Sequence, residues 1–327
     1  MDGINKIEFN SKKNLISNII IIVLGYVTLT ILLNGGFLNR QYTSIVITMF
    51  INIILAVSLN LITGFLGELT LGHAGFMSIG AYTGALITIN SNMPQAISII
   101  VAIICGGLMA ALFGVIIGVP VLRFRGDYLA IVTLASGEII KSIINALGFT
   151  NGSMGIRDIP KYTNVRNYTL VYILMITSII IITNIVNSRD GRAIKSIRDN
   201  DIAAKSIGIK ISKYKVIAFA ISAFFAGVSG VIYAHNVGII KPTNFDYNKS
   251  IEILVIVVLG GMGSIKGSII AAIILTILPE MLRGADEFRM LFYALSLIII
   301  MIVNSSNIKA GLANNNLTSK FFVRKGR

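Results

Sequence analysis

Apolar runs separated by short polar loops fill most of the chain, and about 20 apolar residues make one helical crossing of a bilayer. Runs near that length occupy 15–33, 42–63, 71–89, 95–119, 128–147, 168–187, 215–238 and 288–303. The stretch 250–282 is too long for one crossing and is interrupted by "GGMGSIKG" (260–267), so two shorter helical pieces are expected there. The pattern predicts an all-α, polytopic membrane helical bundle of about 8–10 transmembrane segments. A second glycine-rich break, "TGFLGELTLGHAGFMSIGAYTG" (63–84), falls in a comparable place in the other half. Apolar segments broken by glycine at corresponding positions suggest discontinuous or re-entrant helices, an internal pseudo-repeat and a pathway at the repeat interface. Close helix packing through small residues is the alternative, and Gly72, Gly80 and Gly84 fit it.

One passage leaves the pattern. "GRAIKSIRDNDIAAKSIGI" (191–209) is polar and helical in its spacing, and it divides in two. In the first piece Ile194 and Ile197 form an apolar edge, while Arg192, Lys195 and Arg198 are expected to face water. "DND" (199–201) then offers N-cap residues for a second helix, and Gly208 is placed to end it. Small residues on its exposed side let another protein approach closely, with cations beside them for acidic partners. An amphipathic helix lying on anionic lipid reads equally well from the pattern.

Composition strengthens the membrane assignment. The chain has 327 residues, 55% of them apolar and 13% charged, against about 25% charged in soluble domains. Its formal charge of +14 does not argue for nucleic acid, because the basic residues collect in loops between apolar runs. The positive-inside rule assigns such loops to the cytoplasm. Clusters at Lys6–Lys13, Arg123–Arg125, 189–215 and 309–327 all fall on one side if 250–282 crosses twice or re-enters. The expected layout is a cytoplasmic segment 1–14, a membrane domain 15–303 whose cytoplasmic loop is 189–214, and a basic cytoplasmic tail 304–327. The run 15–33 is too long for the apolar part of a signal peptide and reads as a retained first helix. Cys105 sits alone inside an apolar run and implies neither a disulfide nor a thiolate metal site.

Ionisable residues within spans are candidates for function, since charge is costly in hydrocarbon. Glu138 lies mid-span, with Lys141 three residues on and on the same helix face. Either a structural ion pair or a pathway role fits it. Glu68, His73, His235 and Glu252 lie near expected span ends, where interfacial water reaches. No phosphate loop, zinc-protease motif or Cys/His cluster is present, so no cofactor or metal is expected on this chain. Energy for uphill transport would come from another chain.

The passage "IAAKSIG" resembles the cytoplasmic coupling loop of ATP-binding-cassette importer permeases: two alanines (Ala203, Ala204), three variable residues and Gly208. Ile202 stands where a glutamate is usual. The wider run, through Gly191, Arg192, Ala193 and Arg198, looks like the branched-chain amino acid permeases of the M-subunit type. Four more passages match that subgroup: one through Gly64, Gly67, Gly72, His73, Phe76, Gly80 and Tyr82, another through Thr133 and Glu138 in "GDYLAIVTLASGEII". The others are "TNGSMGI" and a run through Gly260, Gly261, Gly263 and Gly267, where Ser268 replaces a common proline. The resemblance covers about 50–312 and marks these residues as candidates for the translocation pathway.

It implies a multi-pass permease of a bacterial cell membrane with a homologous second permease, two cytoplasmic ATPases holding ATP and Mg, and an extracytoplasmic binding protein. Leucine, isoleucine or valine is the implied cargo. Urea or another small amide, a stand-alone proton-coupled transporter using Glu138, and a receptor without transport are the competing expectations.

Overall fold

The computed structural model describes residues 23–31, 40–91, 93–124, 126–163 and 167–282, together with Ala294 and Ile298. The expected segment 1–14, the span 288–303 and the tail 304–327 lie outside the described residues, save for those two. Helix α1 covers 23–31. Helix α2 (Arg40–Asn60) runs on into a wider π turn, Leu61–Leu66, and stops at Gly67, whose φ of +81° is left-handed. A glycine adopts that conformation without a Cβ penalty. After a non-helical stretch, α3 (His73–Asn90) resumes, followed by α4 (Gln95–Val121), α5 (Asp127–Ala146) and α6 (Tyr168–Asn187).

Two short polar helices come next, α7 (Arg189–Asp199) and α8 (Asp201–Ser206). Then α9 (Ile211–Val237) crosses the bundle. The long stretch near 250–282 does form two pieces, α10 (Tyr247–Gly260) and α11 (Ile265–Met281). Among the described residues, five helices are long and apolar enough to cross a membrane, by length and composition. Among the described residues there is no strand, only one isolated bridge between Ile156 and Ile240.

Helices α2, α3 and α9 form the centre, and α4, α5 and α6 lie outside them. Hydrocarbon tails are as apolar as the helices, so burial from water does not drive helices together within lipid; close packing does. Small residues make that approach possible. A Cβ added to Gly80 would collide with the backbone of Gly227, and one on Gly230 with the carbonyl of Met77. On α4 the outward residues Ile97, Ile100, Ile104, Leu108, Leu112 and Ile116 repeat at three or four positions and are all at least half exposed. Such a stripe fits lipid, where water would make it an aggregation site.

Candidate functional site

The two glycine breaks meet. Asn60, fully buried at the end of α2, accepts a hydrogen bond from the Gly263 amide (2.9 Å) and donates one to the Ser268 hydroxyl (2.9 Å). Gly64 packs so closely on Gly263 and Asn60 that a Cβ there would collide with both. Gly261 and Gly263 have φ of +89° and +83° in the turn between α10 and α11, and Gly260 lies against Gly267 across it. Ser268 has a role a proline cannot fill: it accepts from Asn60, and its own amide bonds the Ser264 carbonyl (3.0 Å).

The polar hairpin α7–α8 docks on this junction. Gly191 is buried against the carbonyls of Ile185 and Val186, which admits α7 to the end of α6. Ile194 and Ile197 are buried beneath the helix. Arg198 faces water as expected, with its side chain 40% exposed, and Lys195 is half-buried, but both also reach the junction. Arg198 donates from Nη1 to the Gly64 carbonyl (3.0 Å) and also pairs with Asp199, while Lys195 lies 5.5 Å from the Phe65 ring centroid. The physical reason is the helix end at Leu66: the last carbonyls of a helix lack intrahelical partners and attract cations. Arg192 and Ala193 stay on the outer side of α7, Arg192 reaching only the Asn187 carbonyl (3.4 Å).

In α8 the Asn200 side chain accepts from the Ala203 amide (3.0 Å), and Gly208, with φ of +86°, follows the helix end as its spacing suggested. Ala204 is buried, whereas Ala203 and Gly208 are exposed. Sequence reasoning missed the largest outward groups, Ile202 and Ile207, which are 77% and 75% exposed. Bulky apolar side chains standing out from a polar hairpin are the signal that would have found them.

Two ionisable residues expected near interfacial water, His73 and His235, are buried instead, and a third, Glu68, is mostly so. His73 is 2% exposed and hydrogen-bonds Ser58 (3.0 Å). His235 donates from Nδ1 to the Val231 carbonyl (2.8 Å) and meets Thr88 at Nε2 (3.0 Å). Glu68, its side chain 14% exposed, forms an ion pair with buried Lys215 of α9. Each found a polar partner on a separate helix, 147 residues away for His235 and for Glu68, which is how buried polar groups are retained. Glu252 is exposed and pairs with Lys249 (3.0 Å).

The remaining candidates lie away from the junction. Gly72 abuts the Thr133 carbonyl, and the Thr133 hydroxyl accepts from the Leu71 amide (3.0 Å). Phe76 packs edge-on against Phe219, and Tyr82, buried, against Phe245. Glu138 does pair with Lys141 (3.0 Å), and its other oxygen accepts from the Tyr247 amide (3.1 Å) at the start of α10. An acidic group at a helix N-terminus and a cation at a C-terminus complement the helix dipole.

A bundle of apolar, membrane-length helices with two glycine breaks braced by a polar hairpin defines a multi-pass membrane protein. The chain belongs to the family described as the branched-chain amino acid transport system permease component, whose profile matches residues 41–304. It is 36% identical over 296 residues to the high-affinity branched-chain amino acid transport system permease protein LivM of Escherichia coli, covering 81% of this chain and 69% of that one. The LivM protein of Salmonella typhimurium is 35% identical over the same shares. The LivH permease protein of Salmonella typhimurium is 23% identical over 283 residues, 78% of this chain and 90% of that one. No solved structure matches the chain.

Proposed function

We propose that the chain is the translocating permease subunit of an ATP-binding-cassette importer for branched-chain amino acids in a bacterial plasma membrane, with both termini cytoplasmic. Similarity to both LivM and LivH, two permease proteins from one organism, supports pairing with a second, homologous permease. Two cytoplasmic ATPase chains would hold ATP and Mg, and an extracytoplasmic binding protein would deliver leucine, isoleucine or valine. Nucleic acid has no part in it.

The observation that carries the reading is the seat of α7 on the broken helices. Closure of the ATPases pushes on the outward face of α8, through Ile202, Ala203 and the exposed turn at Gly208. Buried Ile194 and Ile197 keep α7 from yielding, and Arg198 delivers the displacement to the Gly64 carbonyl beside Gly263. Movement at the loop thus becomes movement of α2 against the α10–α11 turn, which opens or closes the path.

Gly208→Arg tests this. No atom lies within 4 Å of a Cβ built there, so the cost is the left-handed backbone, about 1–2 kcal/mol, and the bundle stays intact. The variant is expected to insert normally in the membrane and to lose binding-protein-dependent, ATP-driven leucine uptake in reconstituted vesicles. Undiminished uptake, or uptake by this chain alone without ATPases, overturns the assignment.

A further inference from the structure

Hydropathy and exposure disagree on α5. It is the least buried of the five spanning helices, yet its mean hydropathy of 1.5 is the lowest, against 2.1 to 2.8 for the others. A helix most open to lipid ought to be the most apolar. The open face of α5 carries Ile131, Ala135, Ile139, Ser142, Ile143 and Asn145, and half-buried Glu138 stands at its edge, in line with Ile131, Ala135, Ser142 and Asn145. Glu138 is the twelfth of its twenty residues, so the polar group sits at mid-depth. Its pair with Lys141 remains part open, with side chains 35% and 25% exposed.

The start of α10 lies against the same spot. The Tyr247 amide bonds Glu138, and one turn on, Lys249 and Glu252 form a second pair, 20% and 44% exposed. Ionisable groups within a membrane face the bundle interior or water, not acyl chains. Close contacts of Gly64, Gly72 and Gly80 leave no room beside those residues, which directs attention to this seam.

We propose that the seam between α5 and α10 lines the water-filled passage, and that the pairs Glu138–Lys141 and Lys249–Glu252 are its contacts for a zwitterionic amino acid. This rests on the importer reading above. Carboxylates for an ammonium and ammoniums for a carboxylate stand within a few residues of each other. Their signs balance, so neither end of the cargo is trapped. A ring of one sign would instead select an ion, and an uncharged cargo has no need of either pair.

The test uses the complete importer in vesicles, with Cys105→Ala and single cysteines at Ser142 or Asn248 on the seam and at Leu108 or Leu112 on α4. A membrane-impermeant maleimide reacts through the thiolate, which needs water, so S142C and N248C are expected to label roughly tenfold or more faster than L108C and L112C. Equal rates overturn the passage assignment. Glu138→Gln keeps an acceptor for the Tyr247 amide and removes the charge; Lys141→Met removes the other. Loss of one charge-assisted contact is expected to lower leucine uptake roughly tenfold while binding protein still stimulates ATP hydrolysis. Normal uptake in both variants overturns the zwitterion contact. If the importer without these charge changes takes up leucine while either test fails, the importer reading stands and the seam falls. If it takes up none, that reading itself has failed.

Discussion

Lys215 and Glu68 carry opposite charges in a place where neither side chain is more than 14% exposed. Breaking a buried pair by removing one member leaves an uncompensated charge and costs about 3–5 kcal/mol. Lys215→Met is therefore expected to lower thermal stability in detergent by that order. Adding Glu68→Met should recover most of the loss, because two apolar groups of similar volume need no partner. A double variant no better than the single would mean that the lysine stem, not the charge, does the holding. The sequence marked Glu68 as an oddity but could not place it. Its partner is 147 residues away, and no local pattern encodes a meeting over that distance. The same holds for His235 with Thr88 and for Asn60 with Ser268.

The hairpin α7–α8 was legible as an element because capping is local chemistry: Asn200 and Gly208 act where their spacing placed them. Its docking was not legible, since the Gly64 carbonyl that receives Arg198 belongs to another part of the chain. Arg198→Ala removes a charge-assisted hydrogen bond, worth about 1.5–3 kcal/mol at most for a side chain this open. The expected outcome is uncoupling: ATP hydrolysis continues while uptake falls, and Arg198→Lys recovers part of it. Parallel loss of both activities would indicate collapse of the loop. Glycines read differently by element. Gly67, Gly261 and Gly263 sit at breaks visible from sequence, but the contact of Gly80 with Gly227 is tertiary. Gly80→Val forces α3 and α9 apart and is expected to cost about 1–3 kcal/mol or more, seen as reduced yield of folded, monodisperse protein.

At the scale of the whole molecule, apolar run length identified the membrane bundle and its divided 250–282 segment because the bilayer imposes length directly on sequence. It did not rank the spans by depth in the bundle. Helices α2 and α4 are both strongly apolar, yet α2 is central and α4 carries a stripe of outward isoleucines and leucines. Lipid and protein interior are chemically alike, so hydropathy cannot separate them. Steric room does better: α9 holds Ala223, Ala226, Gly227, Ser229 and Gly230, all buried, and lies in the middle.

Asn60 gives its acceptor to Gly263 and its donor to Ser268. Any slippage of the α11 entrance along α2 severs both bonds together and leaves the fully buried Asn60 side chain without its partners. Intermediate postures of this joint are therefore disfavoured, and it behaves like a ratchet tooth with discrete rests. In the proposed importer, a push delivered through it is expected to advance the pathway by whole strokes.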